Sequence, residues 1–330
     1  MTIIHGVEID NIQFIPNDIK ALIREKEPIE DKLHVVISVS NPAQFARRYI
    51  LAREFIKRIE EEETDVILYI VELAYPGQGF HVTDTHNHRH LRLRTDVPLW
   101  AKENMMNIAA NKLLPPTWKA VAFIDADIEF MSPHWAKDCL KILAGRDVVQ
   151  LFSHAIDMDR SKDALNIFPS LACRICHGKP LIRDCKPINF PHPGFAWAMT
   201  RRAFEQLGGL YEYSILGSGD MNLATALLGN GLVSLNDKTT DGYKRSLQEY
   251  TDRAKGLTLG YVPVVIRHHY HGAKRARGYQ SRWKILVTHG YDPFLHVTKN
   301  DNDLLVPTPQ CPREMLDEIK TYFFSRNEDD

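Results

Sequence analysis

The 330-residue sequence predicts an α/β fold in which a mainly parallel sheet is flanked by helices within a single domain. Two observations support this prediction. Short runs of β-branched and other apolar residues, at 33–40 and 65–71, lie on either side of a longer segment with helical apolar spacing. A strand, a helix and a strand of these lengths form a βαβ unit with parallel strands. The same alternation then continues to residue 152.

The first half of the chain is predicted element by element from apolar runs and the turn residues between them. The run at 33–40 ends at Asn41-Pro42, a turn signal. Residues 75–98 contain Gly, Pro, His and Asp but few apolar anchors, so they are predicted to form one long loop. The predicted elements are strand 33–40, helix 45–63, strand 65–71, helix 99–114, strand 118–125, helix 133–144 and strand 147–152.

The second half is less regular, with a loop-rich stretch predicted over 153–193 and a turn at Gly208-Gly209. Its predicted elements are strand 194–200, helix 201–207, helix 220–228, strand 261–266 and a last helix at 313–324, after which the chain is expected to fray. The predicted organisation is a lead-in at 1–32, one domain at 33–299, and a C-terminal helix and tail at 300–330.

Composition and missing motifs exclude several classes of protein. The net charge of −1 gives no general reason for binding nucleic acid or an anionic membrane, yet residues 244–284 hold ten Lys or Arg against two acids. This local charge suits a phosphate-bearing small ligand. The sequence has no P-loop, dinucleotide fingerprint or nucleophile elbow, and its five cysteines are irregularly spaced. It shows no signal peptide and no apolar stretch of ~20 residues, so a cytoplasmic location is expected.

Two carboxylates, Asp125 and Asp127, follow a predicted strand. Ligands of open α/β sheets bind at the carboxyl ends of strands, and neighbouring carboxylates repel each other unless a hard cation joins them. The pattern therefore indicates bound Mg²⁺ or Mn²⁺ that bridges phosphates, against the alternative of a solvated acidic turn.

Asp220 opens a predicted helix after Gly217, Ser218 and Gly219. An Asp at this position is either an N-cap or a general base that takes a proton from an attacking hydroxyl. The glycines would let a bulky acceptor approach the backbone closely.

A third cluster consists of His268, His269 and His271, followed by a basic segment at 274–282. Imidazoles are ligands for Mn²⁺ and similar ions, and guanidinium groups fit phosphate oxygens. The alternative is a solvated basic face.

In their order along the chain, these motifs resemble those of GT-A glycosyltransferases, particularly the family-2-like enzymes and the β-1,4-galactosyltransferase group. The motifs that carry the resemblance are 36–41, 100–107, 124–127, 195–220 and 271–282. The resemblance implies a Rossmann-like GT-A domain, with 33–152 as the nucleotide-sugar and metal half and 153–299 as the acceptor and lid half.

The resemblance also assigns residues. It implies that Asp125, Asp127 and His271 (with His269 as the alternative) hold the metal, and that Asp220 is the catalytic base. The implied donor-binding residues are Ser38, Asn41, Lys102, Asn107, Asp125, Ala126, Arg277, Tyr279 and Arg282. The implied acceptor-binding residues are Trp197, Gly217, Ser218 and Gly219. The family usually has Glu-Asp at the catalytic turn, whereas this chain has Gly219-Asp220, so the acid that binds the acceptor is missing from its usual position.

The expected activity is metal-dependent transfer of a sugar from a nucleotide diphosphate sugar, with UDP favoured, to a hydroxyl of a glycan or another acceptor, with inversion. Three alternatives stay open from the residues alone. They are a nucleotidyltransferase, a non-catalytic sugar- or nucleotide-binding protein, and a glycosyltransferase whose acceptor is a modified base of nucleic acid.

Overall fold

The computed structural model describes residues 3–4, 7–8, 15–179, 191–278 and 281–329. Its strands are β1 (Ile3–Ile4), β2 (Val7–Glu8), β3 (Leu33–Ser40), β4 (Val66–Ala74), β5 (His90–Arg94), β6 (Ala120–Ile124), β7 (Ile128–Phe130), β8 (Val148–Gln150), β9 (His154–Met158), β10 (Ala164–Pro169), β11 (Ala196–Thr200), β12 (Leu259–Tyr261), β13 (Val265–His268), β14 (Val297–Lys299) and β15 (Leu305–Pro307).

A seven-stranded sheet with the order β12-β8-β11-β6-β3-β4-β5 forms the centre of the fold. All of its strands run parallel except β11, which is antiparallel to both β6 and β8. A second sheet, β10-β9-β13-β7, lies beside the carboxyl end of β6 because only three residues, 125–127, separate β6 from β7. The predicted α/β fold with a mainly parallel sheet is confirmed.

Helices cover the central sheet, and their apolar faces complete a continuous core. They are α1 (Asn17–Glu25), α2 (Ala46–Glu62), α3 (Lys102–Leu113), α4 (Trp135–Ile142), α5 (Leu171–Cys176), α6 (Arg201–Leu207), α7 (Gly219–Leu227), α8 (Asp241–Arg253), α9 (Trp283–Thr288), α10 (Pro293–His296) and α11 (Arg313–Ser325). Within the part of the chain that the structure describes, no helix is both long and apolar enough to span a membrane.

Three local predictions were wrong. Residues 75–98 are not one loop, because β5 pairs in parallel with β4 and adds an edge strand to the sheet. The stretch 153–193 contains the hairpin β9–β10 and helix α5. The two strands were not predicted because polar residues interrupt their apolar residues. The predicted strand 261–266 is instead two short strands in different sheets, β12 and β13.

Residues near both ends of the described chain pack against the rest of the fold. Ile29 donates its backbone N–H to Leu140 of α4, next to α1. At the other end the chain does not fray after α11, since Glu328 is 1% exposed. The proposed division into lead-in, domain and tail stays a prediction.

Candidate functional site

A cleft of about 790 Å³ opens beside the carboxyl ends of β3 and β6, a volume typical of sites for small ligands. Ser38 of β3, Lys102 at the start of α3, and the acidic turn after β6 all line it. Six basic and five acidic side chains of the described residues face this one cavity. Such a site can bind a ligand that carries both positive and negative charge.

The acidic turn is held by the junction of the two sheets. Asp125 donates its backbone N–H to the carbonyl of Phe195 at 2.8 Å, which extends the pairing of β6 with β11. Strand β7 then pairs with β13 so that Ile128 lies opposite His268. The backbone N–H of His269 bonds the carbonyl of Asp127 at 2.8 Å. The sheet register therefore brings His268 beside Asp127.

Asp127, His268 and His271 form a candidate metal site, with one ligand atom from each lying within 4.8 Å of the other two. His271 Nε2 is 3.0 Å from Asp127 Oδ2, and His268 Nε2 is 3.8 Å from the same oxygen. The other oxygen, Asp127 Oδ1, is buried without a hydrogen-bond partner. Two imidazoles and one carboxylate are suitable ligands for a divalent cation of the Mn²⁺ type. Asp127, His268 and His271 therefore fit a divalent cation of the kind that the sequence predicts at the acidic turn.

The electrostatics of this group are governed by close pairing. Burial alone would raise the pKa of Asp127, but hydrogen bonds and charge from His268 and His271 hold it well below its usual range. For His268, burial acts in the opposite direction and lowers the pKa. Hydrogen bonds and charge from Asp127 and Asp157 outweigh burial and raise the pKa of His268 above its ordinary value. Asp157 Oδ1 lies 2.8 Å from His268 Nδ1. A carboxylate therefore stands behind this imidazole, on the side away from Asp127.

Asp125 lies in the same cleft but outside the three-residue group. Its carboxylate forms an ion pair with Lys102. Burial raises the pKa of Asp125, and the charge of Lys102 opposes that rise. Burial would lower the pKa of Lys102, but Asp125, Glu103 and Asp220 hold it above its ordinary value. The structure thus places the two acids of the turn in different environments.

Asp220 faces the cleft from the first turn of α7. Its Oδ1 accepts a hydrogen bond from the backbone N–H of Met221 at 2.8 Å. A β-carbon at Gly194 would collide with Oδ2, so a larger residue there would displace this carboxylate. The N-cap of α7 is Ser218, so Asp220 is the second residue of the helix rather than its cap, and its side chain lines the cleft.

Gly219, which precedes Asp220, has a close neighbour from another element. A β-carbon at Gly219 would lie 2.5 Å from the carboxyl carbon of Glu103, on α3. Burial, together with the charges of Asp220 and Asp125, raises the pKa of Glu103 to about 7, against the opposing charge of Lys102. A carboxyl group therefore does lie beside Asp220, supplied by the helix that begins at Lys102.

Two residues that line the cleft adopt positive φ angles without being glycine. These are Phe195, at 75°, and Ser218, at 77°. Ser218 precedes α7 and accepts a hydrogen bond from Arg282 Nη2 at 2.9 Å. Backbone strain of this kind is stabilised by its surroundings and is concentrated at functional sites.

The structure brings most of the predicted residues together. The cleft is lined by Ser38, Lys102, Asp125, Ala126, Asp127, Ser218, Asp220, His271, Arg277 and Arg282. Gly217 and Gly219 lie immediately behind, where β-carbons would meet Arg282 and Glu103. Tyr279 lies outside the described residues.

Three other predicted residues lie outside the cleft lining and hold the fold. Asn41 is 1% exposed and bonds the backbone N–H and C=O of Phe45 through its side chain. Asn107 is buried and donates to the carbonyl of Leu210 at 2.9 Å. The indole N–H of Trp197 donates to the carbonyl of Pro193 at 2.7 Å. Each side chain uses its hydrogen-bonding capacity within the protein.

Sequence reasoning also missed residues that the structure places at the site. His268, rather than His269, joins Asp127 and His271; His269 faces Glu129 at 3.5 Å. The alternation of side chains along a strand was the available signal, since consecutive histidines face opposite sides. Asp157 belongs to no motif, and Glu103 lies within the motif 100–107 but was assigned no role there. The structure places both at the cleft.

No known protein family and no curated protein matches the sequence. Solved structures do match. They include TarS 1–349 of S. aureus (TM-score 0.37, 11% identity, 89% of this chain and 71% of that one). A Drosophila β-1,4-galactosyltransferase 7 catalytic domain matches with TM-score 0.34 and 10% identity over 88% and 99% of the two chains. A nucleotidyltransferase-like match is the 4-diphosphocytidyl-2C-methyl-D-erythritol synthase of Anaerococcus prevotii, with TM-score 0.30 and 10% identity over 92% and 98%. These TM-scores are low, so the chemistry of the cleft, rather than these matches, indicates the function.

Proposed function

We propose that this chain is a divalent-metal-dependent glycosyltransferase that moves a sugar from a nucleotide diphosphate sugar to an acceptor hydroxyl. One observation carries the proposal. A single cavity contains a three-residue metal-ligand group, guanidinium groups and a carboxylate at a helix start. These are the groups needed to hold a diphosphate and to deprotonate an attacking alcohol.

The donor half of the site is the edge where β6 meets the second sheet. Asp127, His268 and His271 would hold the cation, and the nitrogen ligands favour Mn²⁺ over Mg²⁺, which prefers oxygen ligands. When bound, the metal supplies positive charge to the donor diphosphate. Arg277 and Arg282 face the same cavity, where their planar groups fit phosphate oxygens. UDP is the expected nucleotide, on the resemblance to the galactosyltransferases.

The acceptor half is built around Asp220 and Glu103. Asp220 takes the proton of the acceptor hydroxyl, whose oxygen bonds to the anomeric carbon as the bond to the nucleoside diphosphate breaks. The hydroxyl attacks opposite the departing diphosphate and inverts the anomeric centre. Glu103 lies beside Asp220 and occupies the space that a side chain at position 219 would need. It is therefore positioned to hydrogen-bond an acceptor hydroxyl in place of the missing acid.

The first test is a thermal-shift panel of nucleotide sugars with and without Mn²⁺. A ligand at 100 times its Kd adds about 2.7 kcal/mol of stability to the folded state. We expect one nucleotide sugar to stabilise the wild type and Asp220→Asn in the presence of Mn²⁺, but not Asp127→Ala. If no nucleotide sugar stabilises the wild type with Mn²⁺, the proposal is wrong.

Product analysis separates the proposed reaction from nucleotidyl transfer. A glycosyltransferase releases nucleoside diphosphate from the stabilising donor, while a nucleotidyltransferase releases pyrophosphate from a nucleoside triphosphate and a sugar phosphate. We expect slow release of the diphosphate even with water as acceptor, and its loss in Asp220→Asn. The anomeric configuration of the released sugar, read by proton NMR before mutarotation, tests inversion.

A further inference from the structure

The last residues of the chain lie against the candidate metal site. Glu328 is 1% exposed, and its carboxylate forms a two-pronged ion pair with Arg48, at 2.5 and 2.7 Å. Arg326 Nε lies 2.7 Å from the same carboxylate. Burial alone would raise the pKa of Glu328, but Arg48, His271 and Arg326 lower it far below its usual range. A charged carboxylate is therefore fixed beside the cleft by a segment that belongs to no helix or strand.

Glu328 faces a metal-site histidine from behind. His271 Nδ1 lies 3.7 Å from Glu328 Oε2, while its other ring nitrogen lies 3.0 Å from Asp127 Oδ2. Arg277 Nη2 also lies 3.0 Å from His271 Nε2, and a guanidinium can only donate. Nε2 therefore lies between a donor, Arg277, and an acceptor, the Asp127 carboxylate. Nδ1 is buried with no hydrogen bond of its own among the described residues, and the carboxylate that lies nearby is that of Glu328.

The other metal-site histidine has a carboxylate in the corresponding position, at a shorter distance. His268 directs Nε2 toward Asp127 and Nδ1 toward Asp157, at 2.8 Å. A carboxylate that accepts the second ring N–H of a histidine fixes its tautomer and orientation and strengthens it as a ligand. Each histidine thus has a carboxylate behind it: Asp157 is within hydrogen-bond distance of the first, and Glu328 lies 3.7 Å from the second.

The position of the tail is determined by contacts on both sides. Gly272, next to His271, has φ +85°, and a β-carbon there would lie 2.7 Å from the carbonyl oxygen of Asn327. Asp329 accepts hydrogen bonds from the first two backbone N–H groups of α2, at 3.0 and 2.8 Å, where the N-cap residue Phe45 offers no side-chain cap. The tail is therefore clamped between the loop that carries His271 and the start of α2.

We propose that residues 326–329 are a working part of the metal site, in which Glu328 is a positioning residue that orients His271 through Nδ1. The proposal rests on the metal site of the proposed function. It assigns Glu328 the role that Asp157 has toward His268. Neither carboxylate coordinates the metal itself; both hold the tautomer that leaves Nε2 free to do so.

The test is Mn²⁺ titrated into the apoprotein and followed by the EPR signal of the free ion. We expect Glu328→Gln and Asp157→Asn each to weaken Mn²⁺ binding 10- to 100-fold, the usual effect of removing such a partner. Glu314→Gln is the matched control, because it makes the same change on the exposed face of α11 and should bind Mn²⁺ like the wild type. Equal Mn²⁺ affinity in Glu328→Gln and wild type would overturn the proposal.

A second readout reports the tautomer directly. In protein labelled with ¹⁵N-histidine, at a pH where His271 is neutral, we expect its proton on Nδ1 in the wild type and redistribution toward Nε2 in Glu328→Gln. A wild-type His271 protonated at Nε2 would overturn the proposal without any variant. If Glu328→Gln does not fold because Arg48 has lost its carboxylate partner, Arg48→Met and Arg48→Met/Glu328→Gln give the same comparison.

Failure of the metal site and failure of this inference are distinguishable. A wild type that binds no Mn²⁺ refutes the metal site, and with it the role of Glu328. A wild type that binds Mn²⁺ as tightly as Glu328→Gln refutes only the positioning role.

Discussion

Replacing Glu103 by Gln should stabilise the protein at alkaline pH and leave it almost unchanged at acid pH. Burial, with the charges of Asp220 and Asp125, raises the pKa of Glu103 from 4.5 to about 7. Because the folded-state pKa is the higher one, the folded protein holds this proton more tightly than the unfolded chain. Stability is therefore lost as pH rises from the unfolded pKa through the folded one. Each pKa unit is worth about 1.4 kcal/mol, so ionised Glu103 costs the folded state about 3 kcal/mol above pH 7.

The assay is urea denaturation of wild type and Glu103→Gln at pH 4.5 and pH 8.5. We expect the difference in free energy of unfolding between the two proteins to grow by about 3 kcal/mol in favour of the variant from the first pH to the second. Glu314→Gln, on the protein surface, controls for the loss of one negative charge. A difference between Glu103→Gln and wild type that is the same at both pH values would refute the raised pKa.

Three substitutions test the close contacts around the site. Gly219→Ala should cost about 1–3 kcal/mol in chemical denaturation, because the new β-carbon would lie 2.5 Å from the Glu103 carboxyl. Much of that cost should disappear when Glu103 is also replaced by Ala. If the free-energy changes of the two substitutions simply add, position 219 and Glu103 are not in contact. Gly272→Ala should cost a similar ~1–3 kcal/mol and weaken Mn²⁺ binding, since it pushes on Asn327 at a positive φ. Unchanged Mn²⁺ affinity in Gly272→Ala would argue against the clamp. Asp329→Ala should cost about 1 kcal/mol, the value of an N-cap, with hydrogen exchange accelerated in the first turn of α2. Exchange at wild-type rates there would show that Asp329 is not the cap.

The fold was predictable where one element has one strong periodic signal. Buried strands β3, β4 and β6 are apolar runs, and helix α6 was placed at the residues that it occupies, 201–207. The hairpin β9–β10 was missed because its residues alternate in burial and include charges, so no apolar run marks it. Strand β5 was missed for the same reason: only Leu93 of its five residues is buried.

The site was predictable where its residues form a short motif, and not where the fold brings distant residues together. Asp125 and Asp127 can be recognised in the sequence as a pair. In the structure, Asp127 lies beside two histidines, while Asp125 forms an ion pair with Lys102. Neither pairing can be read from spacing, because each depends on strand register or on the start of a helix. Glu103 could not be recognised either, since its relation to Gly219 exists only in three dimensions.

The pairing of charges in the cleft predicts that metal and nucleotide bind cooperatively. Lys102 is paired with Asp125, Lys274 with Asp157 and Arg48 with Glu328, so much of the cleft is already neutralised by its own side chains. A diphosphate alone would bring excess negative charge beside these carboxylates, and a cation alone would face the guanidinium groups. Bound together, the two ligands nearly neutralise each other, and no internal pair has to break. By linkage, Mn²⁺ must then tighten UDP binding by the same factor by which UDP tightens Mn²⁺ binding.

Isothermal titration of UDP with and without Mn²⁺, and of Mn²⁺ with and without UDP, measures both factors. We expect each to be about 5- to 150-fold, the usual range for coupled sites. Asp127→Ala should abolish the coupling while leaving weak UDP binding, because the guanidinium groups remain and the metal ligand does not. UDP that binds equally tightly with and without Mn²⁺ would show that the diphosphate does not lie against Asp127, His268 and His271. The donor would then have to occupy another part of the cleft.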